Sequence, residues 1–357
     1  MTDQALILGI ESSCDETAAA VVADGWRVLS NVVASQIDLH ARFGGVVPEL
    51  ASRAHIEAID TVIARALRQA GAVPEQIAAV AVTNEPGLIG SLLVGLMAAK
   101  TLSWAWGRPL VGVNHVYAHA YSPRLNAAPI EYPAAALVAS GGHTALYRCR
   151  SPLELELLGG TIDDAAGEAF DKVASILRLG YPGGPAIDRA ARAGNPAAVR
   201  LPRTLLRGQS LDFSFSGLKT AVLYHVRGVP GGVRQRRQAA GPARPPSRTI
   251  EDFSPQEVAD LAASFQAAVV DVLRIKLRRA AREVKARTLI LGGGVAANSA
   301  LRQAAAELAG RLGCTLRLPE MAFCVDNAAM VAGLAWHHLQ AGRVNGLDLE
   351  AHATVRR

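Results

Sequence analysis

Ala5-Leu6-Ile7-Leu8-Gly9-Ile10-Glu11-Ser12-Ser13-Cys14-Asp15-Glu16-Thr17-Ala18-Ala19-Ala20-Val21-Val22-Ala23 holds two apolar runs separated by small and polar residues. The runs Ala5–Ile10 and Ala18–Ala23 read as strands joined by a tight hairpin, and Val28–Ala34 adds a third strand. Pro48 to Ala70 then reads as an amphipathic helix, because Leu50, Ala54, Ile59, Ile63 and Leu67 recur at roughly helical spacing. A buried strand Ala78–Thr83, a glycine-punctuated helix Ser91–Trp106 and a short strand Leu110–Val113 follow. Much the same order restarts near Ala134. Strands Ala134–Ala139, Thr144–Cys149 and Leu153–Leu158 lead into helices, then a buried strand Thr288–Gly292 and a helix from Ala296. A βββαβα order that occurs twice predicts two related α/β lobes facing a cleft. The hairpins 11–17 and 140–144 then occupy equivalent places. Tight turns of small residues expose N–H groups that wrap phosphates, although a lone Ser-Gly-Gly is usually only a turn.

Bulk properties set outer bounds. At 357 residues the chain is long for a single core. Half the residues are apolar, and a net charge of +6 tolerates a polyanionic partner without demanding one. Cys14, Cys149, Cys314 and Cys324 lack C-x-x-C spacing, which suggests reduced thiols in a cytosol rather than disulfides or a zinc ribbon. The N-terminus shows neither a signal-peptide nor a transit-peptide pattern. The apolar run from Leu88 to Ala99 is short for a bilayer. These features together predict a soluble cytoplasmic protein that avoids membranes. The segment 228–250 is rich in Gly, Pro, Gln and Arg, which predicts a mobile loop. Its Arg234, Arg236, Arg237, Arg244 and Arg248 suit RNA phosphates, or they are merely solvated.

His115 and His119 in Asn114-His115-Val116-Tyr117-Ala118-His119 lie one helical turn apart on one face. Two neutral imidazoles at that spacing hold a transition metal, and a carboxylate from elsewhere would complete a site with open positions. Such pairs also occur on ordinary helices. Asp326 is a candidate third ligand, and equally a helix N-cap. The Gly292-Gly293-Gly294 run ends a strand and opens a helix, which suits a nucleoside or phosphate. Asn298 there is either a base or ribose contact or a helix cap. Upstream, Asp164 is read as the cap of a helix carrying Glu168 and Asp171, while Tyr181–Pro185 forms a rigid turn before Asp188.

Taken together, these runs resemble the TsaD (YgjD) family over essentially the whole chain. The matching stretches are Gly9–Thr17, Gly112–His119, Ser140–Thr144, Asp163–Lys172, Tyr181–Pro185, Phe213–Thr220, Gly292–Asn298 and Asp326-Asn327. The resemblance implies an actin/Hsp70/sugar-kinase-like (ASKHA) fold. An N-terminal lobe would span 1–131, with 333–357 packing back on it, and a C-terminal lobe would span 132–332. It also implies transfer of a threonylcarbamoyl group from threonylcarbamoyl-AMP to N6 of the adenosine just 3′ of the anticodon, in tRNAs reading A-starting codons. His115, His119 and Asp326 would hold one divalent metal, iron in preference to zinc. Val138, Ala139, Ser140, Gly141, Gly142, Asp171, Gly184, Asp188 and Asn298 would hold the adenylate. Asp15 and Glu16 would line the reaction centre as catalytic carboxylates, one of them taking the proton of the attacking amine. Bacterial members would work with a paralogous TsaB-like subunit and a small TsaE-like ATPase; the mitochondrial form is a homodimer. Two departures stand out. The family's Thr-x-Gly-Pro-Gly reads Thr83-Asn84-Glu85-Pro86-Gly87, and the basic insertion is longer than usual. A zinc protease is the first alternative, but Val116 stands where its base would be. A small-molecule kinase of the same fold and a non-enzymatic scaffold are the others. The histidine pair is unexpected in a kinase, and a scaffold would be expected to lack the metal ligands.

Overall fold

The computed structural model describes residues 5–228 and 249–354, so the basic segment 228–250 lies outside it except at its ends. The N-terminal half runs β1 (Leu6–Glu11), β2 (Glu16–Ala23), β3 (Arg27–Ser35), α1 (Ile37–Ala41), α2 (Pro48–Ala70), β4 (Ile77–Glu85), α3 (Ile89–Trp106), β5 (Leu110–Asn114) and α4 (His115–Tyr121). The rest runs β6 (Ala134–Ala139), β7 (Thr144–Ser151), β8 (Glu154–Gly160), α5 (Ala166–Ile176), α6 (Gly183–Ala191), α7 (Ser216–Arg227), α8 (Pro255–Val284), β9 (Thr288–Gly292), α9 (Ser299–Leu312), β10 (Thr315–Arg317) and α10 (Ala328–Gln340).

The two sheets have orders β3-β2-β1-β4-β5 and β8-β7-β6-β9-β10, the same topology twice. In each, the first strand pairs antiparallel with the second and parallel with the strand that returns after the helices. Glu11 faces Ala18 across one hairpin, and Ala139 faces Thr144 across the other. The duplicated unit carries one strand more than the βββαβα order, because β5 and β10 each extend a sheet edge. Three-residue β10 is too short to show a periodicity.

β1 and β2 are buried along their whole length. Alternate residues feed opposite faces, as the strand repeat of two requires. Leu8 and Ile10 join Ile59, Val62 and Ile63 of α2 and Leu96 of α3, whereas Ile7 joins α10. Helix α10 is apolar nearly all round, as suits a fully covered helix. It approaches β1 closely. A Cβ on Gly9 would stand 2.9 Å from the Ala332 Cβ, so the strand needs glycine there. Beyond α10 the chain straps the first sheet. Asn345 accepts from Gly112 through its side chain, and the His352 N–H donates to the Asn84 carbonyl.

Helix α4 is the wedge between the sheets. Its Val116 and Ala120 pack on Ala134, Ala136 and Val138 of β6, while Ala118 and Tyr121 pack on the α10 side. The second sheet's other face carries the largest core, where Phe170 and Phe265 meet edge to face. Each such ring contributes about 1.5–3 kcal/mol by burial. Helix α8 begins at a capping box, with Ser254 Oγ accepting from the Glu257 N–H. Helix α3, at 18 residues and a mean hydropathy of 1.2, is long and apolar enough to cross a bilayer, which the run 88–99 alone did not suggest. In this fold its Leu96 and Ala99 are buried in the α2 side of the core, and Ile89, Leu93, Met97 and Trp104 stay exposed.

Candidate metal centre and nucleotide cleft

Helix α4 starts because Asn114 caps it. The Asn114 Oδ1 accepts from the Val116 N–H at 3.0 Å and the Tyr117 N–H at 3.1 Å, as an N-cap side chain should. The other end of that amide, Nδ2, donates to Glu85 Oε1 at 3.1 Å. Glu85 thus adds a bond to the amide whose orientation the two backbone N–H groups set.

One turn of helix brings the His115 and His119 rings together, with centroids 4.6 Å apart and planes at 85°. Their Nε2 atoms converge on a single carboxylate oxygen. Asp326 Oδ1 is 3.4 Å from His115 and 3.0 Å from His119. One ligand atom from each of the three lies within 4.8 Å of the other two. Asp326 is not the cap of α10: Asn327 takes that role, its Oδ1 accepting from the Met330 N–H, and this leaves Asp326 free to turn toward the histidines.

Charge and burial act together here. Burial pulls His115 down, but the Asp326 and Glu11 carboxylates outweigh it and hold the imidazole well above its usual range. Burial pushes Asp326 up, and the two histidines outweigh that and hold it well below the usual carboxylate range. For His119 burial dominates, so its proton affinity falls. Two imidazole nitrogens and one carboxylate oxygen on one point form a donor set that fits a borderline divalent ion. Val116, between the histidines, is buried in the second sheet's core and offers no base.

The site opens onto a cavity of about 420 Å³ walled by both equivalent hairpins, through Ser13, Asp15 and Glu16 on one side and Ser140, Gly141 and His143 on the other. Asp15 and Glu16 each bring an oxygen close to Asp326. Burial and the neighbouring Asp15 push Glu16 up to about 9, although the Ser35 hydroxyl donates to it at 3.1 Å. His143 is pushed down to about 4 by burial, with His115 and His119 adding to the effect.

A second cavity of about 640 Å³ adjoins it, lined by Cys14, Gly141, Gly142, Asp171, Tyr181 and Lys219 among others. Asp171 accepts from the Gly183 N–H at 2.7 Å, which ties α5 to the start of α6. Asp164 does not cap α5; Ala165 holds the cap position. Asp164 lies between Lys172 at 2.9 Å and Lys219 at 3.3 Å. Val138, Ala139, Gly184, Asp188 and Asn298 line neither cavity. Val138 and Ala139 are buried in β6, and Gly184 sits in the first turn of α6. Asn298 caps α9 and donates to Gln266 at 2.7 Å and to Asp188 at 3.4 Å. The four cysteines are free.

Sequence reasoning missed Glu11. It closes β1 fully buried, 3.0 Å from His115 Nδ1. Its signal was an acid ending an otherwise apolar strand just before the hairpin.

Two matched α/β units around a cleft define an ASKHA-type fold. Solved structures with this fold include HypF from T. kodakarensis (TM-score 0.58, 16% identity, covering 95% of this chain and 48% of that one). The Acidaminococcus fermentans (R)-2-hydroxyglutaryl-CoA dehydratase component A is another (TM-score 0.50, 14% identity, 94% and 99% covered). The chain belongs to the TsaD family, tRNA N6-adenosine threonylcarbamoyltransferase, whose model matches residues 27–333. Proteins of that name from Anaeromyxobacter dehalogenans and Thermomicrobium roseum are 51% and 52% identical to it. Each match covers 98% of this chain, and 99% and 96% of the relative respectively. It is a transferase.

Proposed function

We propose that this chain transfers the threonylcarbamoyl group of threonylcarbamoyl-AMP to N6 of the adenosine 3′ of the anticodon in tRNAs reading A-starting codons, releasing AMP. The observation that carries this reading is the convergence of His115, His119 and Asp326 at a cavity walled by both hairpins. The three residues hold one divalent metal. Fe(II) suits a two-histidine, one-carboxylate set with open positions, and Zn(II) takes the same donors. Once bound, the metal supplies Lewis-acid stabilisation of charge on the donor's oxygens.

The chain's own groups do the rest. The Val138–Gly142 segment, Asp171, Gly184, Asp188 and Asn298 shape and brace the adenylate site, an orientation contribution. Backbone N–H groups of Gly141 and Gly142 suit the phosphate. A carboxylate at the reaction centre, Asp15 or Glu16, accepts the amine proton as the bond to the carbamoyl carbon forms. The phosphate of AMP departs with the electron pair, so no covalent enzyme intermediate is required.

The working lobes are 1–131 and 132–332, with the C-terminal segment returned to the first. A paralogous subunit and a small ATPase complete a bacterial assembly. The exposed stripe of Ile89, Leu93, Met97 and Trp104 on α3, beside Ile56 of α2, supports a protein partner there. Free cysteines support a reducing cytosol.

Incubating the chain with threonylcarbamoyl-AMP, such a tRNA and the two partner proteins tests the reading. Mass analysis of the digested nucleosides should find threonylcarbamoyl-adenosine, with one AMP released per modified base. Unmodified tRNA beside ATP turnover on a sugar or acid acceptor would favour a kinase instead.

A further inference from the structure

We propose that Glu11 is a positioning residue for the metal centre: its carboxylate holds His115 with the proton on Nδ1 and so presents Nε2 to the ion. This rests on the metal-centre reading given above. Glu11 is fully buried at the end of β1, beyond the reach of water. Both of its oxygens are engaged. Oε1 accepts from the Ser13 N–H at 2.6 Å. Oε2 accepts from the Thr83 hydroxyl at 2.6 Å and lies 3.0 Å from His115 Nδ1.

An ionised carboxylate only accepts, so Nδ1 must be the donor in that contact. The Ser13 hydroxyl also reaches Nδ1, at 3.2 Å, but it is neutral and farther away. A charge-assisted bond is about twice as strong as a neutral one, so the carboxylate decides the tautomer. With that proton placed, the remaining lone pair is on Nε2, the nitrogen that faces Asp326. His119 has no such brace, since its buried Nδ1 finds no partner among the described residues. Glu11 therefore directs one ring of the pair, that of His115. Through Ser13 it also ties the ring to the hairpin that carries Asp15 and Glu16.

Glu11→Gln tests this without changing shape. The Ser13 N–H claims the amide oxygen, and the amide nitrogen then donates toward His115 Nδ1. That bond favours the tautomer with its proton on Nε2, where the ion should sit. Zn²⁺ and Co²⁺ titrations of the purified full chain against a chromophoric chelator should show affinity falling on the order of 10–100-fold. In the zinc-loaded wild type, ¹⁵N NMR should place the proton on His115 Nδ1 and the metal on Nε2. A purely structural Glu11 would lower the melting temperature and leave both readouts unmoved. Unchanged affinity in Glu11→Gln, with tight binding by wild type, overturns the proposal and spares the metal centre. So does zinc on Nδ1 in wild type, a result available even if the variant fails to fold. A wild type that binds neither ion overturns both.

Discussion

His115→Ala is expected to lower threonylcarbamoyl transfer on the order of 10³-fold, because the loss of a Lewis acid removes several kcal/mol of charge stabilisation. Metal content measured on the purified variant should fall in parallel. Asp326→Ala should do the same, since both Nε2 atoms converge on that one carboxylate. The fold should survive either change. His115 and Asp326 line the cleft cavity, although His115→Ala leaves the buried Glu11 carboxylate without its imidazole partner and should lower the melting temperature. Circular dichroism of the variants checks this. Near-wild-type transfer by metal-free His115→Ala would remove the metal from the account.

The second large effect comes from a glycine packed against the backbone of the histidine helix. Gly292 ends β9 directly beneath the histidine helix. A Cβ there would collide with the His119 carbonyl oxygen and stand 2.8 Å from its carbonyl carbon. Neither neighbour is a flexible side-chain tip, so α4 or β9 must move. Gly292→Ala should cost about 1–3 kcal/mol of stability, as overpacking does. It should also reduce transfer on the order of 10²-fold, because misplacing a reacting group by about 1 Å carries that penalty. Gly310→Ala is the control. That glycine lies in α9 with open space around it, and alanine there should raise the denaturation midpoint slightly. Equal midpoints for Gly292→Ala and wild type would show that β9 does not set the position of α4.

The strands were legible because β1, β2, β6 and β9 are apolar runs bounded by glycine and polar residues, and both sheets needed little else. The histidine pair was legible because a helical repeat maps onto one face. Residues whose roles depend on distant partners were harder. Asp326 and Asn327 are both sound helix caps locally, and only the histidines, some two hundred residues away in sequence, draw the first of them off the helix. Asp164 looked like a cap for the same local reason, yet Lys172 and Lys219 claim it. Glu11 defeated pattern reading because a charged residue at the end of a buried strand carries no periodic signal. The strap from Asn345 to Ala353 falls within the 333–357 segment expected to pack back on the first lobe, but its path had no helical or strand signal, since helix α10 ends at Gln340. It is held by backbone and amide contacts to the first sheet and the loop after β4, and by Leu349 and Ala351 against the first core, too few apolar residues to set a pattern.

The central claim is that transfer takes place at a metal held by His115, His119 and Asp326. The most direct measurement strips the full chain with a chelator and restores it with Fe(II) or Zn(II). Threonylcarbamoyl-adenosine is then quantified by mass in tRNA incubated with threonylcarbamoyl-AMP and the partner proteins. The account predicts product only after metal is restored, at about one ion per chain. Full product from the stripped protein would contradict it.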